Sequence, residues 1–111
     1  MWGTRSMAEF ATIRRWALKE GAAEEALLTF VTEKMIPAYR KVPGCLRQHL
    51  FRAGDPPSYV ALTFWESKAS ADAWSGPAGQ AWRDEHRETL ARWLELMSFR
   101  EELDAEVVVS S

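Results

Sequence analysis

The stretch that decides the fold is residues 45–65, CLRQHLFRAGDPPSYVALTFW. It divides into two apolar-rich runs around Ala53-Gly54-Asp55-Pro56-Pro57-Ser58, a cluster of turn-forming residues. The first run, Cys45 to Arg52, alternates, with Cys45, Arg47, His49 and Phe51 on one face and Leu46, Gln48, Leu50 and Arg52 on the other. The second run, Tyr59 to Trp65, is apolar on both faces, as expected of a strand covered from both sides. The segment therefore reads as a β-hairpin.

Upstream, Phe10 to Leu18 reads as a strand stopped near Gly21. Ala22 to Val42 reads as a helix, because Leu27, Leu28, Val31, Met35, Ala38 and Tyr39 recur at helical spacing. Pro37 removes an amide donor inside that helix, and a kink is expected just before it. Downstream, Ser70 to Trp74 reads as a short helix with Ser70 as its N-cap. A longer helix is expected over Pro77–Met97, carrying Trp82, His86, Leu90, Trp93 and Met97 on one side. Its Arg83-Asp84-Glu85 run reads as a solvated face. Leu103 to Val109 alternates and is expected to be the last strand.

The order strand, helix, strand, strand, helix, strand is that of a ferredoxin-like α+β domain with a four-stranded antiparallel sheet. Such a sheet carries its helices on one face. Tyr59, Ala61 and Trp65 lie on one face of the third strand and Val60, Leu62 and Phe64 on the other, both too apolar for solvent, so the face without helices needs a cover of its own. A second copy of the chain is the simplest one, so a homodimer is expected.

The 111 residues fit one domain, placed at 8–111 behind a short extension over 1–7, in which Met7 is a candidate start. A net charge of −2 offers no broad basic face for nucleic acid. No apolar run is long enough to cross a membrane. The single cysteine, Cys45, and the lack of a secretory apolar stretch point to a cytoplasmic protein, with Cys45 packed rather than reactive.

Several features together resemble the antibiotic biosynthesis monooxygenase domain. These are Gly21 after the first strand, Pro43-Gly44-Cys45 opening the second, Trp65-Glu66-Ser67 closing the third, and Ala73-Trp74 ahead of a broken second helix. The resemblance implies a dimeric α/β barrel of two ferredoxin-like sheets. It also implies a ligand pocket between sheet and helices in each subunit.

One branch of that family oxygenates polycyclic phenols to quinones without metal or flavin, and another binds and breaks haem. The chain departs from both. Arg14 stands where the haem-degrading branch has an asparagine, and Ala61 where the quinone-forming branch has one. The leading expectation is a cofactor-independent monooxygenase acting on a small aromatic, polyketide-like or quinol substrate. In it Arg14 would stabilise the substrate anion, His86 would be the base, and Trp65, Trp74, Trp82 and His49 would bind the ring. A second reading is a haem protein ligated by His86, the only metal-binding role foreseen. A third is a non-enzymatic, dimeric small-ligand-binding domain.

Overall fold

The computed structural model describes residues 9–54 and 57–108. The extension expected over 1–7, the turn residues Asp55 and Pro56, and Val109 lie outside them. Strand β1 (Phe10–Leu18) leads into α1 (Glu24–Phe30), a π-helical turn (Val31–Met35) and α2 (Ile36–Tyr39). The hairpin follows as β2 (Cys45–Ala53) and β3 (Ser58–Trp65). Three helices, α3 (Lys68–Trp74), α4 (Pro77–Glu85) and α5 (Arg87–Leu96), precede β4 (Met97–Glu106). All strands are antiparallel, in the order β2-β3-β1-β4. This is the expected ferredoxin-like α+β fold.

The π turn falls just before Pro37. A residue without an amide hydrogen breaks the regular ladder there, and the wider turn absorbs the mismatch. Ser67, not Ser70, caps α3: its extended backbone lets Oγ accept from the Ser70 amide at 3.2 Å.

The long helix expected over Pro77–Met97 is two helices that meet at His86. There φ −106° and ψ 29° leave the helical region. The stripe survives the break for Trp82 and Trp93, which are both buried. Met97 instead opens β4, fully buried and paired with Leu18.

The last strand starts six residues earlier than Leu103, and its charged stretch is matched across the ladder. Arg14 Nε donates to Glu102 Oε1 on one face and Arg15 Nε to Glu101 Oε1 on the other, both at 2.6 Å. The register shifts between Arg15 and Trp16, where β4 carries Arg100 as an extra residue.

Facing residues on neighbouring strands share a side of the sheet. The rows Thr12–Thr63–Gln48 and Arg14–Ala61–Leu50 therefore face the helices. Two apolar clusters hold helices to sheet. Phe10, Ala38, Val42, Trp65, Ala71 and Trp82 form one; Leu27, Tyr59, Trp93, Leu96 and Met97 form the other. At the edge of the second cluster, Glu24 of α1 accepts from Arg52 at 2.7 Å and from the Tyr59 hydroxyl at 2.9 Å.

On the side away from the helices, Ile13, Val60, Leu62, Phe64, Phe51 and Leu103 form a continuous apolar surface. Phe51 is 49% exposed and Leu103 62% exposed. No helix among the described residues is long and apolar enough to cross a membrane.

Candidate functional site

Between the two apolar clusters lies a cavity of about 330 Å³, at the small end of the range for ligand sites. Its floor is the helix-facing side of the sheet: Arg14 and Trp16 of β1, Gln48 of β2, Ala61 and Thr63 of β3. Its walls are Met35 and Tyr39 on one side, and Trp74, Trp82, Arg83, Leu90, Trp93 and Leu94 on the other. Among the described residues four indoles and one phenol line it, and no Asp, Glu or His does.

The aromatic wall is a stack of mutual contacts. Trp74 and Trp82 meet at 4.9 Å between centroids, at 65°. Tyr39 leans on both, at 5.6 Å from Trp74 and 4.8 Å from Trp82. Trp82 is anchored by its indole N–H, which donates to the Ala38 carbonyl at 3.1 Å. On the far side Trp16 packs edge-on to Trp93 at 5.1 Å. Rings fixed by packing and hydrogen bonds present flat faces at low entropic cost to a planar ligand.

The polar groups are few. Gln48 Nε2 donates to Thr63 Oγ1 at 3.3 Å, so the carboxamide is held against the floor. Arg14 keeps its terminal nitrogens beyond the Nε bond to Glu102. Arg83 Nη1 donates to the Trp74 carbonyl at 3.1 Å. Burial pushes the Tyr39 phenol above its usual range, against the opposing influence of the Arg14 and Arg83 guanidiniums. Tyr39 is therefore a neutral donor at neutral pH.

Of the residues singled out in the sequence, Trp74 and Trp82 line the cavity and Arg14 reaches its floor. Trp65 does not line it. It is 1% exposed, 6.0 Å behind Trp74, with Nε1 donating to Thr12 Oγ1 at 3.2 Å, and it serves as the backing of the wall.

His49 points to the other side of the sheet, between Phe51 and Phe64. The alternation of β2 gave two faces but not which one the helices cover. His86 sits at the α4–α5 break and stacks on Trp82 at 4.4 Å, without lining the cavity. Its Nδ1 lies 3.0 Å from the Trp82 carbonyl. A carbonyl only accepts, so Nδ1 is the donor in this contact.

His86, the ligand expected for a haem, is not among the residues that line the cavity, so the cavity does not fit a haem held by it. Among the described residues no group of three or more His, Cys, Asp or Glu is placed to hold a metal ion. Burial raises the Cys45 thiol, which suits packing beside Tyr39.

Sequence reasoning missed Tyr39, Gln48 and Arg83 as site residues. Gln48 carried a readable signal, a polar residue between Leu46 and Leu50 on one strand face.

The model of the family described as antibiotic biosynthesis monooxygenase matches residues 10–91. Among solved structures, HapK from Hahella chejuensis is similar at 19% identity with a TM-score of 0.70, covering 92% of this chain and 95% of its own. SnoaB, a cofactor-independent oxygenase from Streptomyces nogalater, was solved as a mutant that gives 17% identity and a TM-score of 0.68, with 93% and 96% covered. A protein from Chloroflexus aurantiacus, itself described as an antibiotic biosynthesis monooxygenase by inference, gives 20% and 0.63, with 94% and 97% covered. No curated protein matches. At these identities the structures speak for the fold, while the family match spans most of the chain and the cavity floor with it. The chain belongs to the antibiotic biosynthesis monooxygenase family.

Proposed function

We propose that this protein is a cofactor-independent monooxygenase that converts a small hydroxyarene, such as a polyketide-like phenol or quinol, to a quinone. The observation that carries the reading is the cavity: among the described residues, aromatic walls, two guanidiniums and no carboxylate. Such a lining favours a planar ligand that has lost a proton. With no His, Asp or Glu at the wall, ionisation rests on the cations. Arg14 and the Tyr39 hydroxyl lower the energy of the ring oxyanion, so its proton leaves to solvent as the ligand binds.

The reaction then needs only the ligand and dioxygen. The ring anion gives one electron to O2, and the ring radical and superoxide combine at carbon to form a C–O bond. Loss of water from the resulting hydroperoxide, taking the hydrogen on that carbon, leaves a carbonyl. Phenol plus O2 thus gives quinone plus water, with no external reductant. The wall of Trp74, Trp82, Trp16 and Trp93 holds the ring and keeps bulk water from the radical pair.

Support for the cofactor-free character comes from SnoaB, whose description names it a cofactor-independent oxygenase. A homodimer is part of the same reading, because the apolar side of the sheet through Ile13, Leu62 and Phe64 is what a second copy would cover.

The test is oxygen uptake by purified, metal-stripped protein given an electron-rich anthrone. One O2 consumed per quinone, with one labelled atom from ¹⁸O2 in the product, is expected. Uptake no faster than in buffer, across a panel of hydroxyarenes, refutes the reading.

A further inference from the structure

Arg83 holds a position among the charges at the cavity that oxygenation by itself does not require. Arg14 is offset by Glu102. Among the described residues no carboxylate lies within ion-pairing distance of Arg83. The acidic neighbour on its own helix, Asp84, accepts from Gln80 at 2.9 Å and faces Arg87 at 3.8 Å.

Arg83 is nevertheless fixed. Its Nη1 donates to the Trp74 carbonyl, and its Cζ lies 5.3 Å from the centre of the Trp74 ring. The slot it folds through exists because residue 79 is glycine. A Cβ there would lie 1.5 Å from the Trp74 oxygen and 3.0 Å from Arg83 Nη1. One corner of the guanidinium is thereby pinned, while its remaining N–H groups are left over at a largely apolar wall. A pinned, half-buried guanidinium without a counter-ion is built to take a planar oxyanion by two parallel hydrogen bonds.

We propose that Arg83 reads a carboxylate carried by the aromatic ligand, separate from the ring oxygen held at Arg14. The cavity then selects hydroxyarene carboxylates over their neutral counterparts. This rests on the aromatic-ligand part of the function proposed above and does not require turnover.

The experiment is calorimetric titration at neutral pH with 3-hydroxy-2-naphthoate and with its methyl ester. The two share the ring and the hydroxyl. The acid is expected to bind at least about tenfold more tightly, the scale of a charge-assisted bidentate contact. That preference should shrink as salt is raised, while ester binding stays level. In Arg83→Gln the ratio should fall to about one with ester binding retained, and Arg83→Lys should keep part of it.

Equal affinity of the wild type for acid and ester overturns the role of Arg83 and leaves oxygenation standing. An unchanged ratio in Arg83→Gln does the same. If neither compound binds, both readings fall. Should Arg83→Gln fold poorly for want of its Trp74 contact, Arg83→Lys decides, and an acid-to-ester ratio undiminished in it overturns the role of Arg83.

Discussion

Gly79→Ala tests how the cavity wall is assembled. In an exposed helix this change stabilises, by about 1 kcal/mol, because alanine is the better helix former. Here the sign should reverse. The new methyl would lie 1.5 Å from the Trp74 carbonyl oxygen and 2.5 Å from its carbon, both backbone atoms that cannot swing aside. The start of α4 must therefore move away from the end of α3. Forced repacking of this kind costs about 1–3 kcal/mol, sometimes more. The shift also strains or breaks the Arg83–Trp74 hydrogen bond, worth about another 1–3 kcal/mol as a bond from a charged donor.

Set against the helix gain, a net loss of about 1–5 kcal/mol is expected, or a drop in Tm on the order of 5–25 °C for a domain of this size. Urea and thermal denaturation measure it. Gly76→Ser is the control. A Cβ at Gly76 meets the nearest atom at an ordinary 3.5 Å, and the residue is the N-cap of α4, where serine is favoured. It should be neutral or slightly stabilising. If Gly79→Ala proved as stable as the wild type, α3 and α4 would not meet through a glycine, and the placement of Arg83 would lose its cause.

Thr12→Val should cost about 1–3 kcal/mol in urea unfolding, since it strands the Trp65 indole N–H in the core, and Thr12→Ser should recover most of the loss. Were Thr12→Val neutral, Trp65 would have another partner. The bonds from Arg52 and then Tyr59 hold the Glu24 carboxyl below its ordinary value of 4.5. Its contribution is therefore present in full above that pH and lost as the pH falls through the lower folded value. The stability difference between wild type and Glu24→Gln should accordingly fade on acidification, and a difference that holds constant into acid would remove the network. On the homodimer proposed above, the wild type should sediment as a dimer and Leu62→Glu, on the apolar side of the sheet, as a monomer without melting; a monomeric wild type refutes the dimer, and an unchanged dimer in the variant would place the contact elsewhere.

Local chemistry made much of the fold readable. The hairpin followed from two strand-like runs around a Pro-Pro turn, and the interruption of the first long helix from the missing amide of Pro37. β4 was harder to read, because its first half is an edge strand whose charges are satisfied across the sheet by Arg14 and Arg15. That pairing cannot be seen from Glu101 and Glu102 alone. The break at His86 was hidden because a helical stripe continues through it in sequence.

In the site, Trp74 and Trp82 announced themselves as large rings on apolar faces. Arg83 looked solvated, since it sits in a charge run. What brings it inward is the absence of a side chain at Gly79 and the carbonyl of Trp74, neither of which has a sequence signature. His49 and Gln48 are neighbours on one strand. Only the three-dimensional stacking of helices on sheet decides that the glutamine, and not the histidine, reaches the cavity.

The extra residue in β4 has a bearing on how relatives of this chain should be lined up. Phe99 and Glu102 are three apart, an odd step, yet both sit on the side of Trp16 and Arg14 because Arg100 takes up the slack. A homologue one residue shorter here would lose the irregularity and still close the ladder, with the same places facing Arg15 and Arg14. An ungapped alignment through this strand would then put the next, outward residue in the column of Glu102. The counter-charge of Arg14 is thus available to a regular strand as well as to a bulged one, and its loss takes a substitution at that place rather than a change of length.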